Sequence, residues 1–479
     1  MRFRPKKLLA LILAGLMILP AASCADEEDS VETKDPNATE VVTDYKPDIE
    51  KTNYDCDLVI TGKGNILDWI IADEDSESDA FQATLFERAM KIKDHLGVNL
   101  VEVDAGDWTE YVGTIIRTAQ GGWDRYQLVS ASVLQGVGEL LASGVMLDFA
   151  EIEGVNLDAP YWDRAYMEDL TIQDQYLVGY NDFCLSNPCC MVFNKDLMNE
   201  YSLTAPYDDV RNMKWTLDKM ISFVSNVSED NGDNVWDERD TYGISSAGWM
   251  DFIGFVQSND MKVVAKDAEG TYQIAYDDDN EKTLALLEKL CELYNAEYSW
   301  FSSPYTERDG KDVLLSNGKV LMTMSFTDDL PPLRNYLHPY GVVPYPLYDE
   351  KQDAYHSLNW NGCIMVPCAV QNRRMVGETL ELLAYYTEPV KVAYHEDILG
   401  SKLAEAPDDA EMLEIIWNSQ ISDMGLLTAT LIFPAMDHLL YMVPKVCQNG
   451  IDTYSSYLQK YIKSADEALD NFFSPRKRG

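Results

Sequence analysis

The chain has 479 residues, of which 46% are hydrophobic and 11% aromatic, too apolar for a disordered protein and enough for two or three packed domains. It carries 81 acidic against 38 basic side chains, a formal charge of −43. Such a chain lacks the basic footprint that neutralises phosphates, which excludes nucleic acid as a partner. An anionic bilayer would repel it, so membrane association requires a covalent or inserted anchor.

The first segment predicts export. Residues 1–7 are basic, and residues 8–19 are an unbroken apolar run. As a helix this run would rise only about 18 Å, short of the roughly 30 Å hydrocarbon core, so residues 1–23 are interpreted as a signal peptide. Small residues precede Cys24 as in a bacterial lipobox, which predicts lipid attachment at Cys24. The alternative is an ordinary cleavage site beside an incidental cysteine.

The segment that follows predicts a tether. Residues 24–55 are acidic, contain proline and lack apolar periodicity, so we expect them to be disordered. The other eight cysteines form no C-x-x-C motif, and we expect most of them to be small buried apolar residues. Sequence alone does not decide whether any of them pair.

From about Asp57 the chain alternates between short β runs and amphipathic helices, which predicts an open α/β sheet. The expected strands are 58–60, 70–72, 98–103 and 127–130, and the expected helices are 81–96 and 108–120. Ligands of such sheets bind beyond the carboxyl ends of the strands. On that rule we expect a cleft lined by Asp73, Asp75, Ser130 and Ser132.

The rest of the chain is helical between about 195 and 297, regains strand character at 319–324, 341–343 and 363–366, and is mainly helical after 372. A strand pattern that is left and revisited predicts two lobes with several crossings between them. We expect an N-terminal lobe of residues 56–165 and about 320–370, and a C-terminal lobe of residues 166–319 and about 371–479.

A series of motifs in a fixed order carries a family resemblance. The stretch VFNKDLMNEYSL (192–203) is followed by WTLDKM (215–220), and DTYG (240–243), GKVLM (318–322) and GCIMVP (362–367) come later in the same order. This pattern resembles the family 1 extracellular solute-binding proteins, the maltose-binding-protein-like receptors of ABC importers. The resemblance implies a two-lobed α/β fold of the periplasmic-binding-protein type, with hinge crossings and a helical C-terminal part. It also implies a non-enzymatic receptor that delivers a carbohydrate to ABC permease subunits. Together with the predicted anchor at Cys24, it leads us to expect a monomer held at the extracellular face of the membrane.

The composition agrees with a carbohydrate ligand, because sugars stack on aromatic rings and their hydroxyls pair with carboxylates and amides. The chain has 28 Tyr and 10 Trp. Candidate ligand-binding residues, most of them loop aromatics and their polar neighbours, are Trp162, Trp249, Asp251, Trp360 and Asn361. Asp182 is a further candidate, since its region enters the cleft in the family. For each aromatic residue a place in the core is the alternative.

One acidic loop has the spacing of a twelve-residue calcium site. Its candidate ligands are Glu229, Asn231, Asp233, the Val235 carbonyl, Asp237 and Asp240. It departs from the usual pattern at the first, sixth and twelfth positions, where Glu, Asn and Asp stand. The alternative is a solvated acidic turn. Any bound Ca²⁺ is expected to be structural, and ligand binding is expected to require no cofactor.

Catalytic motifs are missing from the sequence. The five histidines show no H-E-x-x-H spacing, and neither a P-loop nor a G-x-S-x-G elbow occurs. A binding role is therefore the leading hypothesis. The alternatives are a secreted glycan hydrolase or lyase and a ligand-sensing module for a membrane kinase.

Lipid attachment has a direct test. Because the soluble body carries no other expected anchor, Cys24→Ala should move the protein from the membrane fraction to the medium, as followed by immunoblotting of fractionated cells. Cys368→Ala is the matched control and should stay with the membrane. Retention of the Cys24→Ala protein in the membrane fraction would contradict the anchor.

Overall fold

The computed structural model describes residues 45–473, apart from 64–69, 73–79, 132, 134–135, 185–186, 247–248, 278, 302–308, 360–362, 400–405 and 430–438. The predicted signal peptide, Cys24 and residues 24–44 of the predicted tether lie outside the described residues. No helix within the described part of the chain combines the length and the apolar character needed to cross a membrane.

The secondary structure alternates along the chain. The described strands are β1 (Cys56–Gly62), β2 (Val98–Glu102), β3 (Leu128–Ala131), β4 (Cys189–Asn194), β5 (Ser228–Glu229), β6 (Thr241–Ser246), β7 (Val264–Lys266), β8 (Tyr272–Ile274), β9 (Ser299–Phe301), β10 (Val320–Phe326), β11 (Tyr340–Val343), β12 (Ser357–Leu358), β13 (Cys363–Met365) and β14 (Gln420–Ile421). The described helices are α1 (Ala80–Leu96), α2 (Tyr111–Gln120), α3 (Val137–Ser143), α4 (Arg164–Glu168), α5 (Lys195–Glu200), α6 (Tyr207–Arg211), α7 (Leu217–Val224), α8 (Trp249–Ser258), α9 (Glu281–Asn295), α10 (Asp309–Ser316), α11 (Arg373–Tyr385), α12 (Glu388–Leu399), α13 (Pro407–Asn418), α14 (Met424–Thr428), α15 (Met442–Asn449) and α16 (Tyr454–Phe473).

The first sheet has the strand order β13-β3-β1-β2. Strand β1 runs parallel to β2 and β3, whereas β13 is antiparallel to β3. Helix α1 buries the face that the 3.6-residue periodicity predicts, formed by Phe81, Leu85, Ile92 and Leu96. The predicted strand at 70–72 is not formed. Ile70 lies in a turn and its side chain is buried, so its apolar character reflects a loop packed into the core.

The second sheet has the order β11-β4-β10-β6-β5, with β9 beside β6. Strands β4, β6 and β10 are buried along their entire length. Continuous burial is what central strands covered on both faces require, and it explains why their sequences are apolar runs rather than alternating patterns. The two sheets confirm the α/β architecture that the sequence predicts.

The lobes do not follow the predicted boundaries. Strands β10 and β11, expected in the N-terminal lobe, hydrogen-bond to β4 and β6 of the second sheet. Of the described strands after residue 320, β13 rejoins the first sheet. Gly179 and α11 were both assigned to the C-terminal lobe, but both lie with the first sheet. Gly179 pairs with Ile364 of β13, and α11 packs against α1. An apolar run indicates a strand but not its partner, since pairing is decided by distant parts of the chain.

Residues 45–55 also differ from the prediction. The sequence predicts a disordered tether here, but these residues form an ordered segment that packs against the end of α1, beside the first sheet. The Thr52 and Tyr54 N–H groups donate to the carbonyls of His95 and Leu96, at 2.9 and 2.7 Å. These acceptors lie at the end of α1, where helical carbonyls lack partners within the helix. The segment therefore supplies hydrogen bonds that the helix end requires, and we call it the strap.

A buried carboxylate joins the strap's neighbours to the C-terminal half of the chain. Glu381 of α11 accepts hydrogen bonds from the Tyr161 hydroxyl, from the Trp162 indole N–H at 2.8 Å and from the Asn156 backbone N–H at 3.0 Å. Tyr45 of the strap packs edge-on against the Tyr161 ring, with centroids 5.7 Å apart. Burial is the largest influence on the Glu381 carboxyl and raises its pKa.

The Glu381 cluster predicts two graded losses of stability. Glu381→Ala leaves three buried donors without their acceptor and should lower the free energy of unfolding by about 3 kcal/mol or more. Glu381→Gln keeps the shape and one carbonyl acceptor, so it should cost about 1 kcal/mol. Urea unfolding followed by tryptophan fluorescence measures both. Equal losses for Ala and Gln would contradict this role.

The same pair of proteins has a defined pH dependence. A carboxyl whose pKa is raised by folding contributes stability that is present below its unfolded pKa and lost as the pH rises through its folded pKa. The wild type's advantage over Glu381→Gln should therefore shrink as the pH rises above about 4.5, the ordinary pKa of the glutamate carboxyl. An advantage that grows with pH over this range would contradict the raised pKa.

Candidate functional site

The first sheet has a topological switch point at the carboxyl ends of β1 and β3, where the order of strand addition reverses. From β1 the chain passes through α1 to β2 on one side, then through α2 to β3 on the other. Open α/β sheets bind ligands at such a switch point, beyond the strand ends. Gly62 ends β1 with φ +149°, and a Cβ there would lie 1.8 Å from the Ser130 carbonyl oxygen. Glycine is therefore required for the two strands to approach at this edge.

Ser130 is the one predicted residue of this edge that the structure describes. It is fully buried, and its hydroxyl has no hydrogen-bond partner within the described part of the chain. Asp73, Asp75 and Ser132 lie outside the described residues. The first sheet has the kind of edge at which such sheets bind ligands. That the four predicted residues contact a ligand there stays a prediction.

The second sheet has a matching edge. Strand β6 is flanked by two parallel neighbours, β9 and β10, and the chain visits β9 before it crosses to β10. At the carboxyl end of β6 the Ser246 hydroxyl donates to the buried Asp251 carboxylate at 2.8 Å. Trp249 begins α8 at this end, although its side chain is outside the described part. The structure therefore places the predicted Trp249 and Asp251 at a second switch point.

Two crossing segments join the sheets. Pro188, just before β4, forms an antiparallel bridge with Asn359, just before β13. Thr327, just after β10, donates its N–H to the Pro188 carbonyl at 3.2 Å, and Asn187 accepts from the Asp328 N–H at 3.0 Å. The crossing is thus tied to the end of a central strand of the second sheet. The predicted Trp360 and Asn361 follow Asn359 directly but lie outside the described residues.

Chain length brings the two edges close together. Ile364 pairs with Ser130 at the first edge and is five residues from Asn359 in the crossing. Five extended residues span at most about 18 Å. Because Thr327 at the second edge is hydrogen-bonded to the same crossing, a ligand between the sheets lies within reach of both edges.

Asp182 and Trp162 have different positions. Asp182 is exposed in the segment that leads into the crossing, and its backbone N–H donates to the Tyr161 carbonyl at 3.0 Å. Trp162 is 4% exposed, and Glu381 accepts its indole N–H. Trp162 is therefore a core residue in this structure, as the alternative had it, because its polar atom serves the buried carboxylate.

The candidate calcium loop is closed by its own residues. The Asp240 carboxylate is fully buried and accepts the Asn231 and Asp237 backbone N–H groups at 2.8 and 2.6 Å. Arg239 pairs with Asp233 and Asp237. Among the described residues, which include all six candidate ligands, no group of three His, Cys, Asp or Glu side chains is placed to hold a metal. The calcium hypothesis therefore rests on the spacing alone.

Sequence reasoning did not select two of the residues at these edges. Asn187 and Thr327 act through the crossing, and only the Asn-Pro dipeptide at 187–188 marks this turn in the sequence. Trp108 is 51% exposed and packs edge-on against Tyr111 at the start of α2. The start of α2 faces the carboxyl side of the first sheet, so the Trp108 ring is available beside the first switch point.

A separate cavity of about 410 Å³ lies where α4 approaches the β7–β8 hairpin. Its lining includes Lys262, Lys266 and Lys282. Lys262 pairs with Asp169, and the Lys266 ammonium donates to the Thr171 hydroxyl at 2.8 Å. These contacts join the segment after α4 to the hairpin, and the cavity lining includes none of the described residues of the two strand edges.

Two α/β sheets, each with a switch point, and a hydrogen-bonded crossing between them define a two-lobed binding protein. The sequence comparison is more particular. A profile described as bacterial extracellular solute-binding protein matches residues 82–401, well over half of the chain. The chain belongs to this family, which is one of binding proteins and not of enzymes. No curated protein sequence matches the chain.

Solved structures share the fold over most of the chain. An ABC transporter solute-binding protein from Thermotoga lettingae bound with α-D-tagatose is 15% identical, with 88% of this chain and 100% of that chain covered and a TM-score of 0.54. The maltotriose-binding protein of Thermus thermophilus, bound with maltotriose, is 13% identical, with 86% of this chain and 100% of that chain covered and a TM-score of 0.53. UgpB from Mycobacterium tuberculosis in complex with glycerophosphocholine is 15% identical, with 81% of this chain and 95% of that chain covered and a TM-score of 0.55. At identities this low, the structural similarity establishes the fold alone.

The closed acidic loop gives a testable prediction. Because Asp240 and Arg239 already satisfy the loop, removal of divalent cations with a chelator should leave the melting midpoint within experimental error. Asp240→Ala, which removes the acceptor of two buried N–H groups, should lower stability by about 2 kcal/mol with or without Ca²⁺. A midpoint that rises with added Ca²⁺, and no longer does so in Asp233→Asn, would instead establish the calcium site.

Proposed function

We propose that the protein is a lipid-anchored receptor that binds a carbohydrate outside the cell and delivers it to an ABC importer. The family establishes an extracellular solute-binding protein. The carbohydrate, the permease partner and the anchor at Cys24 are proposals, supported by the residues at the two edges and by the proteins that share the fold.

The observation that carries the proposal is the pairing of two switch points across one crossing. A ligand that contacts both lobes stabilises their closed arrangement, and it can do so only by the difference in its affinity for the closed and open states. The crossing at Pro188 and Asn359 is short and hydrogen-bonded, so a small rotation there is enough to change the gap between the edges.

The edge chemistry suits a neutral ligand rich in hydroxyl groups. The Ser130 hydroxyl and the Asn181 amide nitrogen are buried and have no partner within the described part of the chain. A buried polar group without a partner costs about 1–3 kcal/mol, and a sugar hydroxyl can donate or accept in either direction. Asp182 offers an exposed carboxylate, and Trp108 an exposed ring for the apolar face of a sugar.

The fold relatives favour the same class of ligand. The Thermotoga and Thermus proteins were solved with tagatose and maltotriose, while UgpB was solved with glycerophosphocholine. All three ligands are polyhydroxy compounds or their derivatives, and two are sugars. The anchor at Cys24 would hold such a receptor near its permease, and we expect the receptor to be a monomer.

A thermal-shift panel of mono- and oligosaccharides on the body, with residues 1–24 removed, identifies the ligand. A true ligand raises the melting midpoint by mass action. Asp182→Ala should weaken that shift by at least half and leave the unliganded midpoint nearly unchanged, because the side chain is exposed.

Glu269→Ala, an exposed acid in the β7–β8 turn, is the matched control and should keep the full shift. A ligand shift that survives intact in Asp182→Ala removes this residue from the site. No shift with any saccharide, together with a shift from a peptide or a phosphodiester, would overturn the carbohydrate assignment.

A further inference from the structure

Two cysteines meet between helices α9 and α15. Cys291 lies on the buried face of α9 beside Leu287 and Leu290, and Cys447 lies on the buried face of α15 beside Val446. Their sulfur atoms are 3.6 Å apart, although the residues are separated by 156 positions in the sequence. This is van der Waals contact between two sulfurs in a region closed to solvent.

The helix backbones are fixed around this contact. The Asn295 side-chain amide donates to the Cys291 carbonyl at 2.8 Å and to the Cys447 carbonyl at 3.1 Å. One amide therefore ties the two cysteine backbones to each other. Hydrogen bonds, as well as apolar packing, therefore hold the two helices in the register that brings the sulfurs together.

Little movement separates this contact from a covalent bond. A disulfide has a sulfur–sulfur distance of about 2.05 Å, so each sulfur would move by about 0.8 Å. Rotation of the two side chains about their Cα–Cβ bonds supplies such a movement, and the backbones can stay where the Asn295 amide holds them. Disulfides form and persist in proteins outside the cell, which is where this family acts.

The other cysteines make the pair distinctive. Cys189 and Cys190 are successive residues of β4 and therefore point to opposite faces of the sheet, which prevents a bond between them. Cys368 is exposed and provides a reactive reference thiol.

We propose that Cys291 and Cys447 form a disulfide in the exported protein and that this bond fastens the C-terminal helices to the second lobe. The oxidant is the disulfide of an extracytoplasmic thiol oxidoreductase, which acts during folding, before α9 and α15 close over the two sulfurs. The Cys291 thiolate attacks one of its sulfurs, forms a mixed disulfide and displaces the other as a thiolate. The Cys447 thiolate then attacks the Cys291 sulfur. The two cysteines lose two protons and two electrons, and the oxidoreductase leaves as a dithiol.

Because the bond closes a loop of more than 150 residues, it restricts the unfolded chain strongly.

Mass spectrometry tests the bond. The full-length protein from the membrane fraction is alkylated in denaturant without reductant and digested with trypsin. Cys291 and Cys447 fall in separate tryptic peptides, Leu290–Arg308 and Val446–Lys460, each with a single cysteine. We expect these peptides joined, about 2 Da lighter than their sum, and separated by reduction. The Cys368 peptide should be alkylated. Recovery of both test peptides fully alkylated would overturn the proposal.

Thermal unfolding provides the second measurement. A reducing agent should lower the midpoint of the wild type by several degrees. It should leave the Cys291→Ala/Cys447→Ala variant unchanged, and Cys368→Ala should respond like the wild type. An equal response of wild type and double variant would contradict a stabilising bond. The mass measurement on the wild type needs no variant, so it decides the question even where the double variant fails to fold.

Discussion

The binding site depends on the contact between the two crossing segments at Pro188 and Asn359. Both segments leave one sheet and enter the other, so this bridge is where the lobes are joined by main-chain hydrogen bonds. Thr327 adds a third strand end to the same point. Segments held in this way cannot slide past each other without breaking the bridge. Rotation is therefore the motion that the crossing permits.

The two switch points explain why such a hinge can control binding. In each sheet successive strands are added first on one side of a parallel strand and then on the other. This switch leaves a crevice beyond the strand ends. The crevices lie within a few residues of the crossing, at Ser130 on one side and Thr327 on the other. Ser130 and Asn181 have buried polar atoms without partners in the described part of the chain. On the proposed function, a ligand that supplies those hydrogen bonds would favour the closed arrangement.

Local patterns predicted much of the fold. The periodicity of Phe81, Leu85 and Leu96 located α1, and the motif order around VFNKDL identified the family. The lobe assignment failed at β10 and β11, because a buried strand presents the same apolar run in either sheet. The prediction of disorder for the strap was wrong for a similar reason. An acidic, proline-containing segment has too little apolar surface to fold alone. Its order depends on carbonyls at the end of α1, more than 40 residues away along the chain.

The site was harder to predict because acidic residues are so numerous. Among 81 Asp and Glu side chains, several of the buried ones connect distant segments. Glu381 gathers donors from Asn156, Tyr161 and Trp162.

Asp409 and Asp423 do the same elsewhere. The Asp409 carboxylate accepts from the Lys195 ammonium, the Tyr207 hydroxyl and a β11 backbone N–H. The Asp423 carboxylate accepts from three backbone N–H groups and the Gln257 amide. An ionised carboxylate only accepts hydrogen bonds, and it accepts several at once, so burying one requires donors from several parts of the chain. Those donors are brought together only by the fold, and this is why sequence spacing could suggest carboxylates for the cleft but could not separate them from the carboxylates that hold the lobes together.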